Sequence, residues 1–156
     1  MNKKVLILIP LVAAIIAGYW FWKQSQTAPG YYGLPVVACI DTTEPIVQNF
    51  SFRLKISING QDVPLDSNIG HDPGQCLRSI HTNDSSGVVL VQSNNQNIYT
   101  LKDFFNVWHK NFTSAELMGY VSGNGHKISV SVNGASVNTT EQTPIHANDS
   151  IEVVYR

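Results

Sequence analysis

Five side chains able to bind metals or to move protons fall within 14 residues near the middle of this chain. They are His71, Asp72, Cys76, His81 and Asp84. Imidazole, thiolate and carboxylate groups all ligate zinc or copper, and the candidate metal site consists of His71, Cys76, His81 and Asp84. Because their spacing matches no standard zinc motif, a copper or zinc site in the His81 loop is the alternative hypothesis, and no cofactor is the main expectation.

The same stretch also combines the residue types of a hydrolase, since His81, Asp84 and Ser85 lie close in sequence. No nucleophile elbow or oxyanion motif accompanies them. Asp and Ser in a polar turn usually hydrogen-bond nearby backbone amides instead. We therefore predict a hydrogen-bonded turn, no catalytic residues and a protein that is not an enzyme.

The N-terminal segment decides which environment those residues meet. Residues 5–22 (VLILIPLVAAIIAGYWFW) carry no charge, and as a helix they would span about 27 Å, close to the hydrocarbon thickness of a bilayer. Lys3 and Lys4 precede this segment and favour a cytoplasmic N-terminus. We predict a membrane anchor at residues 1–23, a linker at 24–35 and an exported domain at 36–156, so that a single-pass protein of the cell membrane carries its C-terminal domain outside the cytoplasm.

Two alternatives to an uncleaved anchor stay open. A cleaved signal peptide has a shorter apolar core followed by small residues, whereas this segment ends in the bulky run Tyr19–Trp22. A pilin-like filament subunit would share the basic leader and the apolar helix, but no small-residue processing site follows Lys4.

Export determines the interpretation of the two cysteines, Cys39 and Cys76. In an oxidising compartment an isolated pair is most simply a disulfide, and closing a loop of this length stabilises a small domain by roughly 3–4 kcal/mol. The competing interpretation is that Cys76 is a free thiolate that binds metal.

Alternating apolar and polar residues predict three main strands. The pattern is strict over residues 49–58, recurs over 127–132, and closes the chain over 151–155 with Ile151, Val153 and Tyr155 facing inward. Asn59-Gly60 and Asn133-Gly134 follow the first two strands and predict two-residue hairpin turns. A short run over residues 88–91 is apolar on both faces and predicts a central strand.

Two helices are expected in the exported domain. Thr100 is the predicted N-cap of the first, whose apolar face is formed by Leu101, Phe104, Phe105 and Trp108. Residues 113–116 (TSAE) resemble a second capping box with a short helix behind it. Strands around one aromatic-faced helix predict an α+β fold, and the end of the chain resembles that of a β-grasp domain, with a mixed sheet.

Composition bears on the partners of the domain. A net charge of −1 is too small to attract nucleic acid at long range, so we expect no nucleic-acid partner. Five Asn-x-Ser/Thr sequons are candidate glycosylation sites if the host glycosylates exported proteins: Asn49, Asn83, Asn111, Asn138 and Asn148.

Three stretches resemble motifs of a family of uncharacterised exported prokaryotic proteins. They are residues 76–89, 99–108 and 130–134, which correspond to family motifs such as HTHDxSG, FTLxxFFxxW and a strand ending in VNG. Cys39, Glu44 and the strand over residues 54–60 also match the family pattern. The resemblance covers nearly all of the exported part, and it implies no activity.

The departures from that family concern its histidines. The family carries alternate histidines on the polar face of the first strand, about 7 Å apart and suited to a metal, where this chain has Asn49, Ser51 and Arg53. Asn83 and Asn148 stand at two further histidine positions. If the relatives bind copper or zinc there, this chain has lost most of the site. The function expected is that of a membrane-anchored binding or accessory module in a membrane or envelope complex.

Overall fold

One sheet dominates the computed structural model, which describes residues 37–74 and 76–156. The elements in chain order are β1 (Gln48–Ile58), β2 (Gln61–Val63), β3 (His71–Asp72), β4 (Cys76–Leu77), β5 (Ile80–His81), β6 (Val88–Ser93), α1 (Leu101–Val107), β7 (Glu116–Leu117), β8 (Tyr120–Val121), β9 (Ile128–Val132), β10 (Ala135–Val137) and β11 (Ser150–Tyr155). The predicted α+β class is confirmed for these residues, which form mostly sheet with one helix. None of their helices is long and apolar enough to cross a membrane, and the predicted anchor and linker at residues 1–35 lie outside them.

The main sheet is mixed and has β1 at its centre. Its strand order is β10-β9-β11-β1-β6-β5, with β2 also beside β1. β1 and β11 run parallel, and the other neighbours are antiparallel. Along one edge of β1, β6 pairs with the first half of the strand and β2 pairs with its last three residues. The final strand, β11, pairs with the opposite edge of β1.

The core lies between one face of this sheet and α1. The inward residues Phe52, Leu54 and Ile56 are 1–4% exposed, as the alternating pattern predicted. Phe104 of α1 meets Phe52 edge to face, with ring centroids 6.5 Å apart. Aromatic side chains bury the largest apolar areas, so this contact fixes the helix on the sheet.

The helix begins and ends where its sequence predicts. Thr100 is the N-cap, its hydroxyl accepts from Asp103 N, and Asp103 Oδ2 accepts from Thr100 N at 2.8 Å, which completes a capping box. Trp108 is the C-cap. Its indole Nε1 donates to Asp66 Oδ2 at 2.6 Å and ties the helix end to the loop before β3.

The second helix predicted behind residues 113–116 is wrong. The Thr113 hydroxyl does accept from the amide of Glu116 at 3.0 Å, as a cap would. The chain then forms the small hairpin β7–β8 instead. Met118 (φ +53) and Gly119 (φ +94) reverse the backbone directly after β7, which leaves no length for a helical turn.

Both predicted Asn-Gly hairpin turns are confirmed. Asn59 and Gly60 join β1 to β2, and Asn133 and Gly134 join β9 to β10. All four residues have positive φ, as a type I′ turn requires.

Candidate functional site

The chemically conspicuous residues lie in one region, which we name the disulfide corner: Cys39, His71, Asp72, Cys76, Arg78 and His81. Cys39 and Cys76 form the predicted disulfide, 37 residues apart in sequence. Ile40 N also donates to Leu77 O at 2.8 Å, so the start of the domain is bound to this corner by backbone as well. With its sulfur bonded to Cys39, Cys76 has no thiolate to offer a metal.

Arg78 and Asp72 of the disulfide corner satisfy each other. The Nε and Nη2 atoms of Arg78 lie 2.8 and 2.5 Å from Asp72 Oδ2, and its Nη1 donates to Val37 O at 3.1 Å. Both side chains are about four-fifths buried. A charge pair this enclosed serves to hold the loop, because each of the three guanidinium nitrogens already has an acceptor.

His71 and His81 come together in the same corner, with ring centroids 5.6 Å apart. His81 is 2% exposed, and its Nδ1 lies 3.0 Å from Arg78 O, which assigns the ring proton to Nδ1. Burial lowers the pKa of His81, the bond to the Arg78 carbonyl opposes this in part, and the neighbouring His71 lowers the pKa further. His81 is therefore a neutral, structural imidazole near pH 7.

Asp84, the fourth candidate ligand, is used in a turn. Its Oδ1 accepts from Ser86 N at 2.8 Å, and the hydrogen bonds from Ser86 lower the pKa of Asp84. This is the hydrogen-bonded turn that the sequence predicts. Across residues 37–74 and 76–156, no three His, Cys, Asp or Glu side chains are placed to share a metal ion.

A second polar region lies on the sheet face turned away from α1, which we name the outward face. Strand register aligns residue 49 with 92, 51 with 90 and 53 with 88 on one side of β1, and 53 with 150 and 55 with 152 on the other. Paired residues point to the same face of a sheet. Their side chains are exposed or half-buried, and they are Asn49, Ser51, Arg53, Lys55, Val88, Leu90, Gln92, Ser150 and Glu152.

Asn148 lies in the loop before β11, beside the outward face. Its backbone N–H donates to Ser51 O at 2.8 Å. The structure thus brings together Asn49, Ser51, Arg53 and Asn148, four of the five positions at which the resemblance predicts lost histidines. In this chain they offer amide, hydroxyl and guanidinium groups, which are poor ligands for transition metals. The resemblance itself stays a prediction.

The outward face contains a hollow where β1 lacks a neighbouring strand. β6 leaves β1 at Arg53 and β2 joins it only at Ile56. The gap opens a cavity of about 430 Å³, which we name the Arg53 hollow. It is lined by Arg53, Leu54, Lys55, Ile56, Asp62, Val63, Pro64, Leu65, Ser85, Ser86, Gly87, Ser150 and Ile151.

Gly87 makes the upper wall of the Arg53 hollow possible. Its φ is +84, and a Cβ at this position would lie 3.0 Å from Leu54 O. Its own carbonyl accepts from Leu54 N at 2.8 Å. Only glycine lets the turn approach β1 so closely, and Ser85 and Ser86 of this turn line the hollow together with Arg53.

The two positively charged side chains of the outward face, Lys55 and Arg53, differ in whether they have an acidic partner. Lys55 Nζ lies 3.3 Å from Asp62 Oδ1 and 3.6 Å from Glu152 Oε1, and its hydrogen bond with Asp62 is the main cause of a raised pKa. Arg53 forms no salt bridge and no side-chain hydrogen bond with any residue that the structure describes. Within the part of the chain that the structure describes, its guanidinium is therefore free to meet a ligand.

The sequons are placed where a glycan could be attached. All five acceptor asparagines, Asn49, Asn83, Asn111, Asn138 and Asn148, are exposed. Asn111 also donates from Nδ2 to Glu116 Oε1 at 3.1 Å. Glycosylation itself stays a prediction.

Sequence reasoning did not identify the Arg53 hollow. Arg53 entered only as a position at which the resembling family carries a histidine, and Ser85 only as part of the hydrolase combination that the polar turn replaced. The available signal was the strict alternation of β1, which places Arg53 on the solvated face. The gap between β2 and β6 has no local signal, because it depends on where two distant strands stop.

Comparisons with protein-family models, curated proteins and solved structures found no match for this chain. Its function is therefore inferred from the two polar regions described above.

Proposed function

We propose that this protein is a single-pass, membrane-anchored binding or accessory module that works outside the cytoplasm within a membrane or envelope complex, and that it is not an enzyme. The observation that supports this best is the outward face, where the unpaired Arg53 stands beside a hollow of about 430 Å³. Cavities of this size accommodate small ligands or a partner's side chain.

Export is supported by the disulfide between Cys39 and Cys76. Disulfides persist in oxidising compartments and are rare in the cytosol of most cells. The uncharged residues 5–22 supply the anchor in this proposal.

We also propose a β-grasp-like architecture for the exported domain. The support is its topology: the first and last long strands, β1 and β11, are parallel neighbours at the centre, each flanked by an antiparallel hairpin arm. The connection between the two halves contains α1, which packs on the inner face. Such a fold leaves the opposite sheet face available to a partner.

Site-specific photo-crosslinking in native membranes tests the proposed function. A photoreactive residue replaces Ser51 or Glu152 on the outward face, and Lys102, exposed on α1, serves as the matched control position. We expect the two outward positions to crosslink to the same partner and position 102 to give no such product. Equal products at all three positions, or none at any, would contradict the proposal.

Copper or zinc handling is the second candidate function, and the close pair of imidazoles at His71 and His81 favours it. Two imidazoles bind transition metals weakly without further ligands. Metal analysis of the purified full chain after dialysis separates the two functions. One equivalent of copper or zinc that is lost in His71→Ala would support metal handling, whereas sub-stoichiometric metal would end it.

A further inference from the structure

We propose that the Arg53 hollow binds a carboxylate carried on an apolar body, with the guanidinium of Arg53 holding the carboxylate. This inference rests on the proposed role as a binding module and names the ligand of the same site. The carboxylate can come from a small organic acid or from the C-terminus of a peptide, and the chemistry that the hollow recognises is the same for both.

The charges around the hollow select a monoanion. Lys55 is compensated by Asp62 and Glu152, so among the described residues Arg53 supplies the positive charge that has no counter-charge. Asp84 stands next to the rim residue Ser85 and is held ionised by its hydrogen bonds. Asp62 lines the hollow, so its carboxylate would repel a phosphate dianion more strongly than a singly charged carboxylate, which is matched by a single guanidinium.

The groups that line the hollow also suit a carboxylate carried on an apolar body. A guanidinium offers two parallel N–H groups that fit the two oxygens of a carboxylate, which an ammonium does not. The hydroxyls of Ser85, Ser86 and Ser150 line the rim and can donate further hydrogen bonds. Beside them Pro64 and the aliphatic stems of Arg53 and Lys55 line the hollow, which suits an aliphatic body of a few carbons.

Hydrogen bonds within the protein also hold the rim of the hollow in place without a ligand. Asp84 holds the amide of Ser86, and Gly87 O accepts from Leu54 N of β1. Asp149, which is buried, accepts from Asn133 Nδ2 at 2.9 Å and holds the turn that precedes Ser150. A preformed rim lowers the entropy that binding must overcome, so weak but specific binding is expected.

The test uses the full chain in detergent and follows backbone amide chemical shifts during titration with N-acetyl-L-leucine. We expect saturable binding at millimolar concentrations, with shifts confined to residues 53–56, 62–65, 85–87 and 150–151. N-acetyl-L-leucinamide lacks the charge and acetate lacks the apolar body, so each should bind at least about tenfold more weakly. Inorganic phosphate should not saturate the same signals.

A longer peptide ending in leucine distinguishes the source of the carboxylate. Tighter binding of the free-acid peptide than of N-acetyl-L-leucine identifies a peptide C-terminus, and equal binding identifies a small acid. Both results support the shared chemistry. Equal binding of the free-acid peptide and its C-terminal amide would overturn the proposal.

Variants assign the effect to Arg53. Arg53→Gln should weaken N-acetyl-L-leucine about tenfold or more, Arg53→Lys should restore part of the loss, and the control Lys102→Gln on α1 should bind as the native chain does. An unchanged thermal midpoint shows that Arg53→Gln still folds. No saturable binding to the native chain, or undiminished binding to Arg53→Gln, would overturn the inference, and crosslinking from positions 51 and 152 would still decide the proposed function separately.

Discussion

Two arginines in two regions of this molecule contrast sharply. Arg78, in the disulfide corner, is enclosed and donates to Asp72 and to Val37 O. Arg53, on the outward face, is exposed and has no partner among the described residues. The same side-chain chemistry therefore serves structure in one place and is left free in the other.

The comparison teaches that residue type is a poor guide to function in this chain. The disulfide corner contains the reactive types, yet three of them are occupied: Cys76 by Cys39, Asp72 by Arg78 and His81 by the Arg78 carbonyl. The outward face contains amide, hydroxyl and aliphatic side chains of low reactivity, yet it surrounds a guanidinium that has no partner among the described residues. Availability of a side chain, rather than its reactivity, identifies the candidate site.

Removal of the disulfide should have the largest effect on stability, and it tests whether the disulfide corner is structural. In Cys39→Ser/Cys76→Ser, the free energy of unfolding should fall by roughly 3–4 kcal/mol, because the unfolded chain regains the entropy of a loop closed over 37 residues. Urea unfolding of the full chain measures this. Ligand binding at Arg53 should persist in the folded fraction. A drop below about 1 kcal/mol would mean that the corner is not structural.

Arg78→Gln should have the next largest effect. It leaves the largely buried Asp72 carboxylate without its partner, which costs about 2 kcal/mol. The matched substitution Arg53→Gln removes an exposed and unpaired side chain, so its cost should stay within about 0.5 kcal/mol. Urea unfolding of both variants under identical conditions gives the comparison. Equal losses would remove the distinction between the two arginines.

The buried imidazole of His81, in the disulfide corner, predicts that the stability of the fold depends on pH. Because burial lowers the pKa of His81 in the folded state, the unfolded chain binds its proton first as the pH falls. This contribution to stability is complete above about pH 6.5 and is lost as the pH falls through the lower folded-state pKa. His81→Asn should flatten the stability profile between pH 7 and pH 5.

His109→Asn is the control for that profile, since His109 is exposed and lies at the end of α1. Its pH dependence should follow that of the native chain. If His81→Asn and the native chain lose stability in parallel as the pH falls, then His81 is not a buried neutral imidazole.

The smallest effect on stability is expected from removing a sequon. All five sequon asparagines are exposed, so replacing Asn138 with Gln should leave the folded state almost unchanged, within about 0.5 kcal/mol. Intact mass measurement of the protein from native membranes shows whether a glycan is present. A glycan at Asn49 or Asn148 would cover the outward face and would contradict its role as a binding surface.

Local patterns predicted the parts of this fold that local physics determines. Alternation predicted β1 and the buried side of β11, the cap at Thr100 predicted α1, and Asn-Gly dipeptides predicted two hairpins. The helix behind residues 113–116 failed because the backbone reversal at Met118 and Gly119 outweighed a satisfied cap. Capping stabilises a helix only where the chain continues in that direction.

The candidate site depends on relations between distant segments, which the sequence does not display. The Arg53 hollow exists because β2 and β6 stop short of each other along β1. Asp62 and Glu152 both reach Lys55, whereas Arg53, two residues earlier, has no partner among the described residues. Neither relation follows from spacing or composition.

The central claim is that the outward face around Arg53 is where this protein meets its partner. The most direct measurement is recovery of that partner from detergent-solubilised native membranes with the native chain, Arg53→Glu and the control Lys102→Glu. We expect the native chain and Lys102→Glu to retain the partner and Arg53→Glu to lose it. Equal recovery with all three, or purification of the native chain as a lone monomer, would contradict the claim.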